Sequence, residues 1–233
     1  MAQARKLIVI SGVTSGLGSA MVEFFNRVGS HTVIGCGRTS AKIHGLNMDA
    51  SSSTEFKKFH VVDVSVDEEV KNWADEIISN FGVPDILINN ASVVNKTATF
   101  WKIPSQDFDQ VLDVNVNGVA NCMRHFLPEM IKAKKGTVVN LSAAWGKTVS
   151  PRVSAYCTSK FAIEGLSKSV ASELPDPLTC VPLDPGVIHT AMLEKIFGKA
   201  ASKQQSPQDW VEKAGPLILG IDRSMNGKSV KVK

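Results

Sequence analysis

The chain of 233 residues contains one tyrosine and only four cysteines. Cys36, Cys122, Cys157 and Cys180 are far apart and lack the paired spacing of a metal site. No metal centre is therefore expected, and a reduced, cytoplasmic setting is the default. No apolar run is long enough to cross a membrane, and no signal peptide or arginine-rich transit segment opens the chain, so a membrane partner is not expected. The net charge of +4 is too mild to argue for nucleic acid. Lys132, Lys134 and Lys135 cluster where a helix should end and read as dipole compensation. Internal repeats and low-complexity linkers are also missing, which excludes a solenoid or a tethered pair of domains. What is present, 43% hydrophobic and 21% charged residues, suffices for a single α/β domain over residues 1–233.

Short apolar runs alternate with helical patterns. Strands are expected near 7–11, 32–37, 59–63, 86–89, 136–141, 179–183 and 229–232. Helices are expected near 17–28, 67–81, 106–134, 154–173 and 207–220. Pro128 should kink or loosen the 106–134 stretch, and the polar segment after Thr39 should give at most a brief or irregular helix. The alternation predicts a doubly wound, Rossmann-type parallel sheet of about seven strands with helices on both faces. Such sheets bind ligands at the carboxyl ends of their strands.

The first strand leads into Ser11-Gly12-Val13-Thr14-Ser15-Gly16-Leu17-Gly18 and then a helical pattern. Strand, glycine-rich turn and helix together place a pyrophosphate on a helix N-terminus. Gly12 suits the tight turn, Gly16 allows close approach of backbone to phosphate, and Gly18 lets helix and sheet pack closely. After the second strand, Gly37-Arg38-Thr39 offers no acid for a ribose 2′-hydroxyl. Arg38 instead supplies a fork for a 2′-phosphate, with Ser15 and Thr39 adding hydroxyls, so NADPH/NADP+ is the expected cofactor.

The lone tyrosine, Tyr156, precedes Lys160 by four residues, which puts phenol and ammonium on one helix face. A nearby ammonium favours phenolate and should lower the tyrosine pKa, suiting it to proton transfer.

These separated motifs, in this order, resemble the short-chain dehydrogenase/reductase family over nearly the whole chain. Asn89-Asn90-Ala91-Ser92 is similar to its Asn-Asn-Ala-Gly segment, Asn115 to its site asparagine, and Pro185-Gly186-Val187-Ile188-His189-Thr190 to its Pro-Gly turn. Ser92 departs from the usual glycine, and Ala143 stands where the family carries its catalytic serine. The resemblance implies Tyr156, Lys160 and Asn115 as catalytic residues, with the Asn115 carbonyl holding a water behind Lys160. It also implies that Leu17, Asp63, Val64, Asn89, Ala91, Pro185, Gly186, Ile188 and Thr190, together with Tyr156 and Lys160, meet the cofactor. Ser142 remains a catalytic candidate, although neighbours at a strand end face opposite sides, so it is not a simple replacement for a serine at 143. Trp145, Val93, Val94, Met192 and Phe197 flank the expected substrate position, and Ala191 to Ser206 reads as a mobile lid. The implied activity is reduction of a small-molecule carbonyl, a pterin aldehyde or similar flat aromatic, by a homodimer or homotetramer. The alternative raised by Ala143 is a non-catalytic or weakly catalytic NADP-binding regulatory protein.

Overall fold

The apolar, β-branched runs form seven parallel strands. They are β1 (Leu7–Ser11), β2 (Thr32–Gly37), β3 (Lys57–Val61), β4 (Ile86–Asn89), β5 (Thr137–Leu141), β6 (Thr179–Asp184) and β7 (Val230–Lys231). The computed structural model describes residues 5–28, 31–50 and 57–233. Strand order is β3-β2-β1-β4-β5-β6-β7. β1, β2, β4 and β6 are buried along their whole length, as strands covered on both faces must be.

Period-two alternation divides the strand side chains between two cores. Ile8, Ile10, Ile86, Ile88, Val139 and Leu141 face a layer built from α1 (Gly16–Arg27) and α8 (Pro207–Leu219). Leu7, Val9, Leu87 and Val138 face α3 (Asp67–Phe81), α5 (Gly118–Lys132) and α6 (Ser154–Glu173). Trp210 of α8 is fully buried, and its indole N–H donates to the Pro185 carbonyl at 3.0 Å. Burying a large aromatic contributes roughly 3 kcal/mol, and here it also anchors the loop after β6.

Two expectations are corrected. The segment after Thr39 is an 11-residue helix, α2 (Ser40–Ala50). Its sequence is weakly amphipathic, but Ile43 enters the core and Asn47 bonds both the N–H and the carbonyl of Phe59 on β3. Tertiary contacts thus override the local signal. The 106–134 stretch is α4 (Ser105–Leu112), a π-helical turn at Asp113–Asn117, and then α5. α5 runs through Pro128, so the irregularity lies at the π turn rather than at the proline. The polar stretch after Thr190 contains α7 (Ala191–Phe197), capped by the Thr190 hydroxyl, and a 3₁₀ segment over Gly198–Lys203.

Strand order reverses between β1 and β4. Their carboxyl ends diverge there and open the cleft described next.

Candidate active site

The cleft has a volume of about 710 Å³ and lies across this switch point. Ser11, the last residue of β1, fixes its floor. The Ser11 hydroxyl oxygen accepts the N–H groups of Asn90 and Ala91, each at 3.0 Å. Asn90 returns two bonds of 2.9 Å from its side-chain amide to the carbonyls of Ser11 and Gly12. Gly12 has φ +75°, a left-handed conformation that favours glycine. At Gly18 a Cβ would sit 2.1 Å from the Gly12 carbonyl oxygen, so only glycine lets α1 approach the loop this closely.

Ser15 is the N-cap of α1 but makes no side-chain cap bond. With Gly16 and Leu17 it lines the cleft, so the first amides of α1 are placed for an anion. The local donor set therefore fits the pyrophosphate of a dinucleotide.

Arg38 and Thr39 line the cleft beyond the end of β2. A Cβ on Gly37 would meet the Thr14 methyl at 2.7 Å, so any side chain at 37 would have to displace Thr14. Arg38 lies 3.6 Å from Asp63 in an exposed pair. Such a pair is worth little and leaves the guanidinium available. Asp63 itself is not among the lining residues. One oxygen of its carboxylate accepts the Ser65 N–H at 3.0 Å and the Ser65 hydroxyl at 2.7 Å, a loop-capping arrangement. Val64 does line the cleft.

Asn89 is reassigned. It shares a sheet face with Leu87, is buried, and donates to Asn140 on β5 at 2.7 Å. Asn140 continues the polar string to Ser167 at 2.9 Å. The neighbour, Asn90, is the asparagine that reaches the glycine loop. Alternation along β4 was the signal for this.

At the other end of the cleft α6 presents Tyr156 and Lys160. The Lys160 ammonium lies 5.4 Å from the tyrosine ring centroid and donates to the Leu141 carbonyl at 2.8 Å. Burial lowers its pKa to about 8, so it is still largely charged at neutral pH. The expected lowering of the tyrosine pKa does not occur. Burial, helped by Cys157 and Asp184, pushes the phenol above its ordinary range and keeps it protonated.

Asn115 is buried in the π turn, which bonds the Gly118 N–H to the Asp113 carbonyl five residues back. Its side chain clamps Val93, accepting the N–H at 2.8 Å and donating to the carbonyl at 2.9 Å. It also donates to Ser159, whose hydroxyl donates to the Tyr156 carbonyl at 2.7 Å. The side chain of Asn115 thus ties the β4 loop to the turn of α6 that carries the tyrosine. Val93 lines the cleft, whereas its neighbour Val94 does not, since successive side chains of a non-helical chain leave in different directions.

Ser142 continues the face of Val138 and Asn140. It is buried, and its single proton goes to Glu164 at 2.7 Å. The catalytic reading of Ser142 is therefore not carried forward. Ala143 is half-buried, faces the cleft and has no hydroxyl to offer. Trp145 stands edge-on to Tyr156 at 6.1 Å and 6.0 Å from Phe197 of α7. Met192, Pro185, Gly186, Ile188 and Thr190 line the same side. His189 and Glu194, paired at 2.8 Å, also line it and were not anticipated, because nothing in the Pro-Gly turn or the polar stretch after it marks which residues turn inward.

The short chain dehydrogenase family profile matches residues 6–201. The chain is 43% identical to an NADPH-dependent pterin aldehyde reductase of Arabidopsis thaliana, over 98% of this chain and 94% of that one. Among solved structures, it is similar to ElxO with NADP bound, at 25% identity and a TM-score of 0.87, covering 98% of this chain and 97% of that one. It is similar also to a 3-ketoacyl-(acyl-carrier-protein) reductase of Brucella melitensis complexed with NADH, at 24% identity and a TM-score of 0.86, covering 97% and 96%. With a glycine loop, a Tyr156–Lys160 face and a seven-stranded parallel sheet already in place, these matches are decisive: the chain belongs to the short-chain dehydrogenase family.

Proposed function

We propose that this protein is an NADPH-dependent carbonyl reductase acting on a pterin aldehyde or a similar flat aromatic carbonyl, with Tyr156 as the proton donor. What carries this reading is that one cleft holds Arg38, preceded by a glycine where an acid would meet a ribose 2′-hydroxyl, at one end and Tyr156 with Lys160 at the other. The relative from Arabidopsis supports both the cofactor and the substrate class.

When bound, the cofactor supplies a hydride to the carbonyl carbon. Tyr156 gives its phenolic proton to the carbonyl oxygen as negative charge develops there, which completes the alcohol. A phenol held protonated suits the reducing direction. Lys160 stabilises the phenolate that is left, and a water on the Asn115 carbonyl passes the replacement proton inward. Trp145, Val93 and Met192 shape the substrate position. A homodimer or homotetramer joined through α5 and α6 belongs to the same proposal.

The choice of cofactor has a direct test. The fold accommodates either nucleotide, so preference falls to Gly37 and Arg38. A charge-assisted contact contributes about 1.5–3 kcal/mol, so NADPH should bind at least about tenfold more tightly than NADH. Arg38→Ala is expected to abolish that preference in a calorimetric titration of both cofactors. Equal affinities in the unmodified protein refute it.

Ala143 favours a second reading, a weakened enzyme, because Ser142 is already committed to Glu164. In enzymes where one oxyanion donor was deleted, the loss was about 10²–10³ in rate. Ala143→Ser is therefore expected to raise single-turnover NADPH oxidation about tenfold or more, measured over a broad panel of aldehydes and ketones, while Ser142→Ala gives no such gain. If neither the protein nor the variant oxidises NADPH with any carbonyl, the reductase reading is wrong and a non-catalytic NADP-binding role takes its place.

A further inference from the structure

Among the described residues lining the cleft, the carboxylate is Glu194 alone, and nothing above uses it. It sits on α7 one helical turn before Phe197, so both side chains leave the same side of the helix. Phe197 packs on Trp145, and Trp145 on Tyr156. The carboxylate thus stands at the far end of an aromatic wall that begins at the proton donor. Its Oε1 accepts from His189 Nε2 at 2.8 Å, and its Oε2 has no protein partner among the described residues. The side chain is 55% exposed, so a ligand in the cleft can reach it.

A carboxylate offers two acceptor atoms in one plane and matches two parallel N–H donors. Beside a flat aromatic wall, it selects a flat ligand that carries such a pair on the edge opposite its carbonyl. The 2-amino-4-oxo edge of a pterin is such a pair: a ring N–H next to an exocyclic amine. The same charge repels a carbonyl compound that ends in a carboxylate. We infer that Glu194 is the specificity-determining residue of this cleft, reading the amino–amide edge of a heterocyclic substrate and rejecting anionic ones. The catalytic part of this inference rests on the reductase reading, but the binding part does not.

The test has two arms. In the first, the fluorescence of free pterin is titrated with NADP+-loaded protein. Glu194→Ala is expected to weaken binding tenfold to a hundredfold, the range of a lost charge-assisted pair. His189→Ala removes the hydrogen bond to Glu194 but keeps the carboxylate, and is expected to bind pterin at least as tightly as the unmodified protein. If His189→Ala weakens binding as much as Glu194→Ala, the effect belongs to the lid and the inference falls. No pterin binding to the unmodified protein also overturns it. The second arm compares KM for pterin-6-aldehyde and quinoxaline-2-carbaldehyde, which is flat but lacks the donor edge. Glu194→Gln should reduce the preference for the pterin at least tenfold and improve turnover of 4-carboxybenzaldehyde. An unchanged preference refutes the assignment. Pterin bound through Glu194 with no aldehyde reduced would end the reductase reading and leave the binding site standing.

Discussion

Tyr156→Phe is expected to lower carbonyl reduction roughly 10²–10⁴-fold, the range that a positioned general acid contributes. The substitution removes only the hydroxyl. The ring that stands edge-on to Trp145 remains, so the wall of the cleft and the fold should persist. NADPH affinity should move by no more than a few-fold, because Arg38 and the amides of α1 are untouched. Lys160 keeps its bond to the Leu141 carbonyl in the variant, so a loss of rate could not be blamed on a displaced lysine. Turnover and cofactor affinity measured side by side decide the matter. A variant that reduces the best substrate at the unmodified rate would leave the phenol without a role.

Gly18→Ala should cost the protein its cofactor. The added methyl would lie 2.1 Å from the Gly12 carbonyl oxygen and 2.7 Å from the Asn90 amide, both parts of the cleft floor. The first neighbour is backbone, and the second is held by its bonds to the Ser11 and Gly12 carbonyls, so the loop must move by about an ångström. Displacements of that size cost on the order of 10²-fold where geometry matters, and NADPH affinity is expected to fall by about that factor. Overpacking should also remove about 1–3 kcal/mol of stability. Gly45→Ala provides the contrast. Gly45 lies exposed in α2 with no atom within 4 Å of an added Cβ, so the same chemical change should stabilise the protein slightly. Thermal melts and cofactor titrations of the two variants give opposite signs if this is right. Equal NADPH affinity in Gly18→Ala and the unmodified protein would show that the close approach is not needed.

These two residues were legible in the sequence because their chemistry is local. A glycine-rich turn between a strand and a helix, and a tyrosine four residues before a lysine, each carry their meaning within a few positions. The strands buried on both faces were legible for the same reason, as unbroken apolar runs. The failures share a different cause. Asn89 has the right chemistry for a cofactor, but the pleat turns it toward Asn140, and Asp63 gives one carboxylate oxygen to the Ser65 turn. Ser142 has a hydroxyl beside the cleft, and a carboxylate twenty-two residues later claims it. α2 is held by Asn47 and Ile43 through contacts that its own pattern does not announce. The tyrosine pKa follows burial, a property of the assembled site, more than its spacing from Lys160. Sequence marked which residue types were present, and the direction each side chain faces was settled by partners far along the chain.

The π turn at 113–117 carries a consequence for insertions and deletions. A wide turn of this kind holds one residue more than a regular helix would use over the same rise. Deleting a single residue there would let α4 and α5 join as one uninterrupted helix, a locally easier structure. Everything after the cut would then be turned by about 100° around the helix axis. Cys122, Met123 and Phe126 would swing away from the sheet they now cover, and Asn115 would lose its hold on Val93. The surplus residue is thus a phase adjustment between two helices, and this stretch should be far less forgiving of length changes than of substitutions.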